Sequence, residues 1–209
     1  METILAFGDS NTWGLIPGAK TYERYPWEVR WTGLLQQKCE KNRILEEGLC
    51  GRTTVFEDKL RPGRRGITSL PILLESHQPL NAAVLMLGTN DCKSIYGANA
   101  YTIGEGIELC LNELEKYIPK ERILLVSPIF LGEDVWKPEK DPEFEPKSIE
   151  VSHELKDIYS KIAKRRGTGF LAASDFAKAD EADNEHLNES GHRALAVAVY
   201  KKLGEMNVL

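Results

Sequence analysis

The stretch Thr3-Ile4-Leu5-Ala6-Phe7-Gly8-Asp9-Ser10-Asn11-Thr12-Trp13-Gly14 decides how the chain is read. Thr3–Phe7 is a short apolar run, the pattern of a buried strand. Gly8 permits a tight turn, and Asp9 and Ser10 suit the start of a helix. A serine held there sits where free backbone N–H groups favour negative charge. The same residues serve an ordinary polar cap equally well. Alone, the stretch fixes a strand, a turn and a helix start, and leaves the chemistry open.

Four further apolar runs read as buried strands: Arg43–Glu46, Ala82–Leu87, Arg122–Val126 and Gly169–Ala172. Helical stretches lie between them. Trp27–Cys39 is amphipathic and is expected to start at Pro26, and Ser69–Ser76 is expected to be started by Pro71. Thr102–Tyr117 spaces Ile103, Ile107, Leu111 and Leu114 on one face, and Ser148–Arg165 spaces Ile149, Leu155, Ile158 and Ile162 likewise. A last helix runs from Glu189 to Met206, with Asn188 as its N-cap. Strands alternating with helices imply an α/β fold with a parallel sheet covered on both faces. Right-handed crossovers then bring the loops after each strand to one sheet edge, where open α/β sheets hold their sites. The length suits one domain spanning 1–209. One connection is long, Gly132–Pro146, rich in proline and acidic residues. It reads as a lid or as a solvated excursion.

Composition narrows the function. Net charge is −5, so no basic surplus drives binding to nucleic acid or an anionic membrane. Arg61–Arg65 and Lys164–Arg166 read as solvated faces. No run is long and apolar enough for a membrane span. Cys39, Cys50, Cys92 and Cys110 form no CxxC pair and no zinc-like spacing. Met1-Glu2-Thr3 leads straight into the first strand without a basic leader, so a cytoplasmic protein with reduced thiols is expected. Gly14…Gly18-Ala19-Lys20-Thr21 echoes a P-loop, but Ala19 breaks the Gly-Lys pair. No metal or cofactor site is expected.

The loops at the expected site edge carry polar residues of one kind of chemistry. After the second strand, Glu46-Glu47-Gly48-Leu49-Cys50-Gly51-Arg52 offers a glycine N–H, here Gly48. After the third, Gly88-Thr89-Asn90-Asp91 offers the Asn90 amide. Before the last helix comes Asp183-Asn184-Glu185-His186. A serine hydroxyl becomes a nucleophile once a base removes its proton, and imidazole does this near neutral pH. A carboxylate behind the ring fixes its tautomer. His192 reads as structural or exposed, and His77 and His153 lack a nearby nucleophile. The G-x-S-x-G elbow of α/β-hydrolases is absent.

Ser10, Gly48, Asn90 and His186, in this order, resemble the four blocks of the SGNH hydrolases, the GDSL esterase/lipase superfamily. Trp13, Arg24–Trp31, Glu46–Leu49 with Arg52–Thr54, and Leu87–Asp91 are similar to bacterial arylesterases, a subgroup that includes an acyltransferase. The resemblance implies a flavodoxin-like three-layer α/β/α sandwich with a central five-stranded parallel sheet. It implies a serine esterase for short-chain, acetyl-type esters that works through an acyl-serine and can transfer the acyl group. Ser10 would attack, His186 would act as base and acid, and Asp183 would orient it. Ser10 N–H, Gly48 N–H and the Asn90 side chain would hold the oxyanion. A carbohydrate deacetylase using the same residues is the alternative, and a non-catalytic ligand-binding module is the alternative of another class. A small-molecule ester is the expected partner, together with further copies of the chain. Trp27, Trp31 or Trp136 would contribute to that self-association, with core burial as the other reading of Trp31.

Asn11 stands where the name-giving motif has Leu. Asn184-Glu185 stands where the family commonly has Gly and an apolar residue. Cys50 follows Gly48-Leu49 in place of a smaller residue, and reads as a buried apolar side chain. Substrate contacts are expected from Asp9, Asn11, Trp13 and Glu185. Glu185 either faces solvent or faces the site, where it would disfavour anionic substrates and favour a protonated His186.

Overall fold

Side chains alternate across a strand, and Ile4-Leu5-Ala6-Phe7 is apolar throughout because both faces of its sheet are covered. Ile4 and Ala6 pack into one core with Trp31, Leu35, Leu195 and Val199. Leu5 and Phe7 pack into a second core with Leu70, Leu74, Ile103, Ile107 and Leu155. The structure, a computed structural model, describes residues 2–209.

The strands are β1 (Glu2–Gly8), β2 (Asn42–Gly48), β3 (Ala82–Met86), β4 (Ile123–Ser127) and β5 (Gly169–Ala172). They form one parallel sheet in the order β2-β1-β3-β4-β5. The helices are α1 (Ser10–Trp13), α2 (Trp31–Lys38), α3 (Gly66–Ser76), α4 (Ala100–Glu115), α5 (Pro146–Arg166) and α6 (Glu189–Glu205). α2 and α6 cover one face, and α3, α4 and α5 the other. This is a flavodoxin-like three-layer α/β/α sandwich. The chain leaves β1 for β2 on one side and reaches β3 on the other, so the carboxyl ends of β1 and β3 flank the switch in strand order. A ligand crevice opens at such a point.

Four helix starts differ from expectation. α4 begins at Ala100, two residues before Thr102, capped by Asn99 Oδ1, which accepts from Thr102 N. α2 begins at Trp31, because the Pro26 carbonyl accepts from Val29 and Arg30 and closes a turn, after which Arg30 is extended. α3 begins at Gly66, upstream of Pro71, which lies inside the helix. Its first N–H groups reach the carbonyls of Thr53 and Thr54, so the start needs no proline. α5 begins at Pro146, with a capping box between Glu145 and Ser148.

The 132–146 connection is neither a free lid nor a solvated excursion. Val135 and Phe144 are buried in the core. The Glu143 carboxylate takes Arg61 at 2.6 Å and also Lys93. Ser94 donates to the Glu143 carbonyl. The segment is a pinned wall. Trp31 is fully buried, whereas Trp27 and Trp136 keep exposed surface. No described helix is long and apolar enough to cross a membrane.

Gly48, at the end of β2, lies against α1: a Cβ there would overlap the backbone of Thr12 and Trp13. Gly48→Ala is therefore expected to destabilise the protein by about 1–3 kcal/mol. Guanidinium denaturation checks this, and an unchanged midpoint would contradict the close seat of α1 on β2.

Candidate active site

The turn that holds Ser10 is built by its own side chains. Asp9 caps α1, its Oδ1 accepting from Asn11 N at 3.0 Å, and its carbonyl accepts from Thr12 and Trp13. Ser10 is held at the carboxyl end of β1, almost fully buried. Among the described residues its N–H donates to no protein acceptor.

Asn11 reaches across to the loop before α6. Its Nδ2 donates to the Glu185 carbonyl at 3.3 Å, and its Oδ1 accepts from Leu187 N at 2.9 Å. That loop is also fixed internally. Asp183 Oδ1 accepts from Glu185 N and His186 N, both at 2.9 Å. Asp183 Oδ2 lies 2.8 Å from His186 Nδ1 and accepts from Gly18 N. His186 Nε2 then lies 2.9 Å from Ser10 Oγ. The structure thus brings Asp183, His186 and Ser10 into one hydrogen-bonded line.

Gly48 and Asn90 part company. Gly48 packs on α1 and does not border the cavity at Ser10, whereas Gly51 does, with Asn90 and His186. Gly51 has φ +79°, a backbone state that favours glycine, and its N–H donates to no protein group among the described residues. Gly51 lies three residues beyond Gly48, past the end of β2. Asn90 Nδ2 donates to the Arg52 carbonyl at 3.1 Å, and an amide nitrogen has a second hydrogen to give. Arg52 stacks on Phe7 and donates to Gly8 O at 2.8 Å and to Glu47 O. One guanidinium therefore ties the ends of β1 and β2 together.

Two of the four expected substrate contacts lie behind the nucleophile. Asp9 and Asn11 are buried and do not border the cavity: Asn11 spends its side-chain amide on the His186 loop and Asp9 Oδ1 caps the turn, while Asp9 Oδ2 has no hydrogen-bond partner among the described residues. Trp13 carries the Arg24 guanidinium 4.9 Å over its ring and meets Tyr22 edge-on, and it is Tyr22 that borders the cavity. Glu185 faces inward, 5% exposed, so its solvent-facing reading is overturned. Its backbone bonds to Asp183 and Asn11 turn it that way. Lys93 and Asp141, which sequence reading missed, also border the cavity. Lys93 was a lone cation and Asp141 one carboxylate of an acidic loop, so neither stood out.

The cavity at Ser10 measures about 90 Å³. A larger depression, about 760 Å³, runs along residues 174–181 and the start of α6, and contains neither Ser10 nor His186. The Asp183, His186 and Ser10 line opens on the smaller one. Among the described residues no metal-binding group of His, Cys, Asp and Glu side chains gathers.

Charge at the site is unusual. Burial alone would lower the pKa of His186; the Glu185 charge, then the hydrogen bond and charge of Asp183, then Asp9, overcome it and raise it to about 9. Burial pushes Asp183 up, but its bonds to His186 and to backbone N–H groups outweigh this and hold it at about 2. Burial raises Glu185 against the pull of His186 and Lys93. The Cys50 thiol is pushed up to about 12 by burial and then by Asp9 and Glu185, so it stays protonated beside Ser10 and offers no rival nucleophile. His192 is a core residue: its Nδ1 accepts from Trp31 N, and burial lowers it to about 4.

Residues 6–194 match the GDSL-like lipase/acylhydrolase family. Among solved structures, the chain is similar to the aryl esterase of Mycobacterium smegmatis, at 30% identity and TM-score 0.89 over 99% of this chain and 100% of that one. It is similar to a carbohydrate acetylesterase from Sinorhizobium meliloti, at 34% identity and TM-score 0.89 over 99% and 100%. A lipase/acylhydrolase from Enterococcus faecalis, 17% identical over 98% and 96% of the two chains with TM-score 0.70, shares the fold. No curated protein matches the sequence.

The His186 imidazole is expected to keep its second proton until pH rises through about 9. Glu185→Gln removes a charge that favours the imidazolium, so the transition should move toward neutrality. Nitrogen-15 NMR of the ring checks this, and an unmoved midpoint in the variant would sink the assigned cause.

Proposed function

The chain belongs to the GDSL-like lipase/acylhydrolase family and is a carboxylic ester hydrolase, and from that premise we propose that it cleaves short-chain acyl esters, acetyl esters first, through an acyl group carried on Ser10. The observation that carries this reading is the line from Asp183 through His186 to Ser10 Oγ, with bonds of 2.8 and 2.9 Å, at the wall of a cavity of about 90 Å³. Ordinary small-molecule sites run to roughly 300–1,000 Å³. A cavity this small suits a two-carbon acyl group and disfavours a long chain.

The steps follow from the atoms. Ser10 Oγ attacks the ester carbonyl as its proton passes to His186 Nε2. Negative charge develops on the carbonyl oxygen. The unspent N–H groups of Ser10 and Gly51 and the second Nδ2 hydrogen of Asn90 are the donors available to it. Gly51 takes the part that sequence reading gave to Gly48. The tetrahedral species collapses, and the imidazolium gives its proton to the leaving alkoxide. Water, with His186 again as base, releases the acid. An alcohol in place of water gives acyl transfer by the same half-reaction. Asp183, held ionised, keeps the ring oriented throughout. A carbohydrate acetylesterase among the similar structures, together with the polar cavity wall, supports an acetylated sugar as the physiological ester.

Ser10→Ala is expected to abolish hydrolysis of p-nitrophenyl acetate while the circular dichroism spectrum stays native; retained turnover would refute Ser10 as nucleophile. Asn90→Ala should lower kcat by about 10²–10³-fold. Across p-nitrophenyl acetate, butyrate and octanoate, kcat/KM should fall with chain length, and a maximum at octanoate would contradict the small acyl site.

A further inference from the structure

Glu185 takes no part in the line from Asp183 to Ser10, and its carboxylate is oddly placed. The side chain is 6% exposed. Its backbone is locked, N–H to Asp183 Oδ1 and carbonyl to Asn11 Nδ2, so the carboxylate is aimed into the cavity that Ser10, Asn90 and His186 line. Among the described residues neither oxygen accepts a hydrogen bond from a protein group; the contact it makes is ionic, Oε1 at 3.7 Å from His186 Nε2. A buried carboxylate without hydrogen-bond donors is costly.

The cations at the same cavity are already engaged. Arg61 is held by Asp58 and Glu143. Lys93 is held by Asp141, at 3.3 Å, and by Glu143. Beyond the N–H groups of Ser10, Gly51 and Asn90 that face the carbonyl oxygen, the open capacity among the charged groups of the wall is therefore that of an acceptor, and the alcohol half of the ligand must bring a donor.

The position of that donor follows from the chemistry. His186 Nε2 gives its proton to the leaving oxygen, which must come within roughly 3 Å of it. A carboxylate oxygen 3.7 Å from the same nitrogen is then one hydroxyl away from the leaving oxygen. A hydroxyl on the neighbouring carbon of the alcohol spans that gap. We propose that Glu185 reads the alcohol half of the substrate by accepting a hydrogen bond from a hydroxyl vicinal to the ester oxygen, so that the substrate class is a monoacyl ester of a vicinal diol or polyol. This rests on the reading of Ser10 as an esterase nucleophile. Lys93 and Arg61 disfavour a cationic alcohol at the same place, and Asp141 with Glu185 disfavours an anionic one.

The test compares 2-hydroxyethyl acetate with propyl acetate, which differ by a hydroxyl against a methyl at the position in question. The wild type should favour the hydroxy ester in kcat/KM by about tenfold or more, the selectivity of a site that leaves a charged acceptor unpaired with the wrong substrate. Glu185→Leu should bring the ratio to one or below, and Glu185→Gln, which keeps a carbonyl acceptor, should lower it several-fold. The ratio is taken within one enzyme, so changes in His186 basicity cancel from it. A wild-type ratio near one, or an unchanged ratio in either variant, overturns the proposal while leaving the esterase reading intact. A wild type that cleaves neither acetate nor p-nitrophenyl acetate overturns the esterase reading, and the proposal with it.

Discussion

The 2.9 Å contact between Ser10 Oγ and His186 Nε2 joins residues 176 positions apart in sequence. Most of the architecture can be understood as what keeps these two atoms together. The parallel sheet puts the end of β1 at the edge where the last loop passes. Asn11, next to the nucleophile, bonds that loop on both sides of His186, through Glu185 O and Leu187 N. The wall segment supports it from the other flank, with Gly132 N donating to Asn184 O at 2.8 Å. Three separated parts of the chain thus fix one imidazole. A shift of a single ångström there would be felt in the rate, because nucleophile and base work only within hydrogen-bond reach.

Much of this was legible in the sequence, for identifiable reasons. The central strands β1, β3 and β4 are nearly uniform apolar runs, the half-exposed edge strands β2 and β5 keep shorter apolar cores, and the sheet edge followed from their alternation with helices. Ser10, Asn90, Asp183 and His186 each sit directly after a strand or before a capped helix, where position and chemistry coincide. The places where geometry departs from the sequence expectation share a cause as well. Gly48 and Gly51 are both turn glycines in sequence. Only the packing of α1 on β2 separates the one that seats a backbone from the one that faces the cavity. Asp9 and Asn11 sit beside the nucleophile in sequence, yet a helix start sends their side chains behind it. The wall at 132–146 has the composition of solvent-exposed chain. Its two anchors, Val135 and Phe144, are too sparse to register as a pattern.

The charged wall and the buried relay also depend on each other. Asp141 would repel Glu185 across the small cavity. Lys93, 4% exposed, and Arg61 absorb that charge through their contacts with Glu143, Asp141 and Asp58. With these carboxylates neutralised in place, Glu185 is left as the acceptor beside His186 without a hydrogen-bond donor of its own. Its charge is the largest of the influences that raise the imidazole pKa, so the residue proposed to read the alcohol also sets the basicity of the ring that must take the Ser10 proton.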